Sequence, residues 1–248
     1  MRSVNFSDIL HASLQLCGLD RNLTTPDRFA MVRDLASMRL RTIWESNEWT
    51  DLKVLTKCSV NLVNERRIVA FDPNIGQVLT IWDKDPMAKT TSQKDFELID
   101  NVINLRDKQD SEVWVESRKE SPRLYGDAWS TDVSYRPKAQ VYFDSGSESG
   151  SLVPVSGYPV QGDFYVYTGT TPSGTGSIPT IGSWERIQIP KLFTNALIHG
   201  VHADFRRSTN ELEAAQAAEA DYAKALDAAL DQTLRQQGST RPINFRNY

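Results

Sequence analysis

The chain has 248 residues, with 28 Lys and Arg against 32 Asp and Glu, a net charge of −4 and 40% hydrophobic residues. This ordinary globular composition leaves room for one large domain or two smaller ones, and it excludes wholesale disorder and a basic, non-specific nucleic-acid binder. Cys17 and Cys58 are too few for a disulfide framework, which suits a reducing compartment, and no signal core or bilayer-length apolar run is present, so a soluble protein is expected.

Helical periodicity opens the chain. Phe6, Ile9, Leu10, Leu14 and Cys17 recur at helical spacing, with Asn5 as N-cap and Gly18 as the stop. Thr25-Pro26-Asp27 begins a second helix: a cap, a proline whose missing N–H costs nothing there, and an acid on the positive helix end. Its seam is Phe29, Val32, Ala36, Leu40 and Ile43, widened by Leu35 and Met38, and it ends near Asn47. From Lys53 the period changes to two. Val54, Thr56, Cys58, Val60 and Leu62 alternate with more polar neighbours as a half-buried strand. Arg67–Phe71 and Gln77–Trp82 flank Asp72-Pro73-Asn74-Ile75-Gly76, which reads as a hairpin. Further strands fall at Ser111–Ser117, at Lys138–Phe143, and in two short runs within Gly157–Pro190, one either side of a Gly/Ser/Thr/Pro loop at Thr170–Gly182. Ser145–Ser151 (SGSESGS) has the composition of a flexible tip or linker.

Beyond Pro190 the helical period returns. Leu192, Phe193, Ala196, Leu197, Val201 and Phe205 form an apolar face, and an alanine-rich helix follows from about Ser208 to Gln237. Its seam is expected at Leu212, Ala215, Tyr222, Leu226, Ala229 or Leu230, and Leu234. From Ser208 to Asp231 there are six acids against Lys224 alone, whereas the final seventeen residues hold Arg235, Arg241 and Arg246 and no acid. Such a split is either a solvated face with a favourable basic C-terminus or an arm that docks on another subunit.

The expected class is α+β: a helical bundle formed by N- and C-terminal helices, with an inserted antiparallel β domain and an extended C-terminal tail. The boundaries are 1–52 for the N-terminal helices, 53–190 for the β-rich insert with a small aromatic module at about 152–190, 191–237 for the C-terminal helices, and 238–248 for the arm.

Motifs of catalysis are absent from this reading. His199-x-x-His202 with Asp204 nearby lacks a third ligand for zinc. The Gly/Ser/Thr loop has no lysine after its glycines to serve a phosphate, and Glu148 occupies the place of a serine nucleophile between Gly146 and Gly150. Asp83-Lys84-Asp85 begins like a calcium loop, but Met87 and Lys94 fall where oxygen ligands are needed. No enzyme activity, cofactor or metal is therefore expected. Tyr158, Phe164, Tyr165, Tyr167 and Trp184 crowd one short stretch, either as the core of a small β module or as a face that stacks on sugar rings. The order Gly162-Asp163, Tyr165-Val166-Tyr167, Pro179, Trp184 weakly resembles small chitin-binding-type modules. The match is in order only and carries no sugar binding over; on the stacking alternative Tyr165, Tyr167 and Trp184 face a ligand, and the protein is a carbohydrate- or receptor-binding accessory.

A second resemblance covers about half the chain in pieces. Ala203-Asp204-Phe205-Arg206, Ala218–Tyr222, Leu226 and Leu234–Gly238, together with Val78–Pro86 and Val113–Glu116, are similar to head-to-tail adaptor (neck, or connector) proteins of tailed bacteriophages. The insert around Ser145–Pro190 departs from that pattern. The resemblance implies a structural virion protein in the neck between capsid and tail, assembled in the host cytoplasm. It implies a homo-oligomeric ring, dodecameric in the virion, that joins the portal protein to a tail or nozzle protein. DNA passes through its channel without specific binding, and no membrane is involved. Arg241, Phe245, Arg246 and Tyr248 are then the expected portal contacts, and Glu211, Glu219, Tyr222 and Asp227 the expected contacts between subunits.

Overall fold

The computed structural model describes residues 2–20, 25–63, 66–70, 75–88, 90–99, 102–106, 111–144 and 162–236. In chain order these form β1 (Ser3–Val4), α1 (Phe6–Leu16), α2 (Pro26–Ser46), β2 (Lys53–Ser59), β3 (Asn61–Val63), β4 (Arg66–Ala70), β5 (Ile75–Trp82), β6 (Phe96–Ile99), β7 (Val102–Leu105) and β8 (Glu112–Lys119). Then follow β9 (Asp127–Ala128), β10 (Gln140–Asp144), β11 (Gly162–Tyr167), β12 (Trp184–Arg186), β13 (Ile189–Pro190), α3 (Thr194–Ser208) and α4 (Leu212–Gln236). The fold is mixed α+β, with four helices and largely antiparallel sheets among the described residues.

Two compact units divide the chain: Met1–Asn47 with Pro122–Tyr248, and Glu48–Ser121. In the first, α2 forms as its sequence dictates. The Thr25 hydroxyl accepts the Arg28 N–H, Pro26 takes the first helical position, and Phe29, Val32, Ala36, Leu40 and Ile43 are buried. Met38, expected to widen the seam, is 65% exposed because it lies past the stripe's edge. At α1 the cap is unexpected. The Asn5 side chain makes no cap bond, and the Phe6 N–H donates instead to the carboxylate of Asp163, 157 residues along the chain. Gly18 ends that helix with φ of 74°, a conformation an L side chain resists.

The larger sheet of this unit runs β12-β11-β10-β9, antiparallel except for β9 against β10, and β1 pairs with β13 in a smaller one. Phe164 of β11 and Tyr142 of β10 meet Phe6 of α1 and Phe29 of α2. Phe6–Phe164 and Phe29–Tyr142 both lie 4.8 Å apart between ring centroids. Burying such rings removes enough apolar surface to contribute about 2–3 kcal/mol each. This is why β9–β12 group with the helices. The β-rich segment expected over 53–190 is split at Ser121, and the aromatic stretch near 162–190 shares its sheet and core with residues 127–144 rather than standing as a module of its own. Ser145–Ser151 and Tyr158 lie outside the described residues.

The second unit holds a three-stranded sheet, β2-β8-β5, and a four-stranded sheet, β3-β4-β7-β6. Val69, Ile81, Ile103, Val113 and Val115 form its core, with Cys58, Val60, Val78, Phe96 and Leu105 packed against them. The strand expected from Val54 to Leu62 breaks at Val60, so that β2 joins one sheet and β3 the other, and Leu62 is left 69% exposed. The predicted hairpin is not formed either: β4 pairs with β3 and β7, while β5 pairs with β8. Turn chemistry marks where the chain reverses but not which strand it returns to. Of the expected turn Asp72–Gly76, Asp72–Asn74 lie outside the described residues, and Ile75 and Gly76 belong to β5.

Candidate functional site

The densest polar constellation joins α2, α3 and α4. Arg39 of α2 grips Asp204 of α3 through Nε and Nη2 at 2.6 and 2.7 Å, and Glu219 of α4 through Nη1 and Nη2 at 3.1 and 2.8 Å. Arg207 of α3 reaches the same two carboxylates at 2.7 and 3.2 Å. The Arg39 guanidinium also lies 4.7 Å over the Tyr222 ring of α4. Two cations and two anions alternate here, so each charge has opposite neighbours. Burial works against the charged form of Arg39, yet its hydrogen bonds to Asp204 and Glu219 hold it above the usual arginine range. Glu219 sits below its ordinary range because Arg39 and Arg207 outweigh its partial burial. Gly200 lets this happen: a Cβ there would come within 3.0 Å of Arg39 Cδ and 3.2 Å of Tyr222 Cδ2.

A second polar node closes α1 against the sheet. Asp163 is 5% exposed, accepts the Phe6 N–H at 2.8 Å, and pairs with Arg186 Nη2 at 2.8 Å. Arg186 Nη2 also donates to Asn5 Oδ1 at 2.7 Å. Burial pushes the Asp163 carboxyl up to about 6 despite the Phe6 N–H and Arg186. The Cys17 thiol is likewise pushed up to about 11 by burial, which leaves it a poor nucleophile.

The residues named from sequence fall in three places. Glu219 and Tyr222 belong to the Arg39 node, so their side chains are engaged within the chain, whereas Asp227 is exposed and Glu211 is held by Arg206 at 2.7 Å. Tyr165, Tyr167 and Trp184 pack with other rings instead of forming one open face. Tyr167 is buried 5.0 Å from Trp184, Trp184 stands 5.5 Å from Tyr135, and Tyr165 lies 6.2 Å from Phe143. Trp184 Nε1 is spent on Ser177 Oγ. Arg241, Phe245, Arg246 and Tyr248 lie outside the described residues. His202 accepts a hydrogen bond from Arg206 Nε, and Asp204 is taken by Arg39, so the His-x-x-His segment serves helix packing.

The seam of α4 departs from expectation. Ala215, Ala218, Tyr222, Ala229 and Thr233 are buried, Leu226, Leu230 and Leu234 are half-buried, and Leu212 is 61% exposed. Small residues bring α4 close to α3 and leave the bulkier leucines at the flanks. The opposite face presents Glu213, Ala217, Ala220, Asp221, Lys224, Asp227 and Ala228 to solvent. It is acidic and several turns long.

Sequence reasoning missed Arg39, Arg207, Asp163 and Arg186. Arg39 adjoins the buried Leu40 and follows Ala36 by three residues, and a cation so near an apolar seam was the available signal. Among the described residues no helix is long and apolar enough to cross a membrane, and no His, Cys, Asp and Glu group could hold a metal ion. No protein-family model matches this sequence, and no curated protein matches it.

Proposed function

We propose that this protein is a head-to-tail adaptor in the neck of a tailed bacteriophage. It is a structural, non-enzymatic virion component that forms a ring between the portal and a tail or nozzle protein. The observation that carries the reading is the outward face of α4, where exposed Ala217, Ala220 and Ala228 are interspersed with Glu213, Asp221 and Asp227 against Lys224 alone. Small side chains permit close approach of a neighbouring subunit. Acids set register against a basic partner surface, as a closed ring with two different complementary faces requires. The local similarity to phage neck proteins points the same way.

In this reading the terminal helices form the bundle around which subunits pack, and the strands of the Glu48–Ser121 unit are the insert. Within the subunit, Arg39 holds Glu219 and Tyr222 in place and Arg206 holds Glu211, so the exposed Asp227 is the member of the predicted interface set left to meet a neighbour. The basic, aromatic C-terminal arm, with Arg241, Phe245, Arg246 and Tyr248, anchors on the portal, because arginine and aromatic side chains dominate binding energy at such contacts. The acidic balance of the chain keeps DNA sliding through the channel rather than adhering. Assembly takes place in the host cytoplasm and involves no membrane or cofactor.

Electron microscopy of the purified protein, alone and mixed with the portal protein encoded beside it, tests this. A ring of added density on the portal is expected, and it should be lost when the chain is truncated after Gly238. Absence of a complex at concentrations where a micromolar interaction would be seen overturns the proposal.

A further inference from the structure

The sheet β2-β8-β5 has an inner face that fills the core and an outer face that does not. On the inner side Val113 and Val115 are fully buried, whereas Trp114 between them points the other way and is only half-buried. Its cross-strand neighbours on the outer face are Lys57 of β2 and Trp82 of β5. Trp82 is fixed beside it: its Nε1 donates to Glu116 Oε2 at 3.2 Å, and Glu116 is in turn held by Lys53 at 3.1 Å. Two indoles thus stand abreast on the outer side of a small sheet, where tryptophan normally turns toward the core.

An open cleft of about 360 Å³ lies against Trp114, lined also by Lys57, Asp83, Lys84, Asp85 and Glu112. This is the lower end of the volumes that hold small ligands, about 300–1,000 Å³. The main chain orients its carboxylates in advance. Asp83 Oδ1 accepts the Ser92 N–H at 2.7 Å, and Asp85 Oδ1 accepts the Met87 N–H at 2.9 Å. The Ser92 contact also holds the Asp83 carboxyl below its ordinary range, so it is an acceptor at neutral pH.

We propose that this cleft binds a neutral sugar, with one face of a pyranose ring on the Trp114 indole and its hydroxyls on Asp83, Asp85 and Lys84. A pyranose offers an apolar face of C–H groups edged by groups that both donate and accept, and the cleft offers an aromatic face edged by acceptors and a donor. Charge selects against an anionic ligand that stacks on indole. The Lys57 ammonium is committed to Glu112 at 2.6 Å, so a nucleotide phosphate would meet Asp83 and Asp85 with Lys84 alone to offset them. The site is distinct from Tyr165, Tyr167 and Trp184, which serve the core of the other unit.

The test is two-dimensional NMR of the indole N–H groups in the full chain, titrated separately with maltotriose, cellotriose and triacetylchitotriose at millimolar concentrations. Saturable movement of the Trp114 signal by at least one of them is expected. Trp114→Ala, read on the neighbouring Trp82 indole N–H, should weaken binding by about tenfold or more, a loss of about 1.4 kcal/mol. Asp85→Ala, at the rim and outside the core, should weaken it severalfold with an unchanged unfolding midpoint. The inference is overturned if none of the three sugars moves the Trp114 signal, or if binding survives both substitutions. It is equally overturned if adenosine monophosphate or tetramethylammonium moves that signal and the sugars do not. Neither result bears on ring formation, which the portal mixture reads independently.

Discussion

The two compact units bury their interiors in different materials. In Met1–Asn47 with Pro122–Tyr248, the core is aromatic and is tied off by charges: Phe6, Phe29, Tyr142 and Phe164 meet edge to face or tilted, and the Arg39 and Asp163 nodes lie alongside. In Glu48–Ser121 the core is Val69, Ile81, Ile103, Val113 and Val115. Ring contacts, bidentate ion pairs and a borrowed helix cap are directional, so they specify one arrangement of elements. Aliphatic contacts are not, and a unit of that size buries a smaller share of its surface. Leu62, Val63, Leu98 and Ile99 of the edge strands β3 and β6 also stay exposed there. The same chain thus holds a rigidly specified unit and a loosely specified one.

The comparison breaks most readily at Arg39. Arg39→Ala removes the cation shared by two carboxylates and should destabilise its unit by about 3 kcal/mol. That is the low end for removing one partner of a buried pair, because Arg207 remains. Amide hydrogen exchange should show α2, α3 and α4 losing protection while β2, β5 and β8 keep theirs. An equal loss in both sets would mean a single cooperative block rather than two.

Asp163 gives the next effect, through pH. Its folded value of about 6 lies above the ordinary aspartate value of about 3.9, so the folded state binds the proton more tightly than the unfolded chain does. The stability linked to that proton is full below about pH 4 and is lost as pH rises through about 6, to the extent of about 3 kcal/mol at most. Relative to Asp163→Asn, wild-type stability measured by urea titration should therefore fall across this window. A gap that widens with pH in favour of wild type would mean that the Arg186 pair outweighs burial.

The smallest effect sharpens the other side. Ile103→Val removes one methylene from the aliphatic core and should cost about 1 kcal/mol. Exchange in β4 and β7 should rise severalfold, with α2 and α3 unaffected.

What the sequence made legible was local. The Thr25-Pro26 start and five-residue seam of α2 could be read because cap, proline and period are all written within one helix. The strands β8 and β10 are visible as apolar runs, but their partners are not, which is why β4 and β5 read as a hairpin although each belongs to a different sheet. The Arg39 node was illegible for a related reason: its members come from three helices, and only their facing makes Asp204 and Glu219 partners of one guanidinium. Val78–Pro86 and Val113–Glu116 stood out as separate stretches, yet nothing in either reveals that Trp82 lies opposite Trp114.

The cap on α1 bears on how the molecule is made. The first helix emerges from the ribosome with its leading N–H unsatisfied, and the carboxylate that accepts it arrives 157 residues later. By then Glu48–Ser121 has been synthesised as one continuous piece, with every strand it needs. Chain order thus sets the schedule: the loosely specified unit, continuous in sequence, can close during translation, while α1 waits for Asp163. Ribosome-stalled chains ending before Asp163 should hold β2–β8 folded and α1 still open.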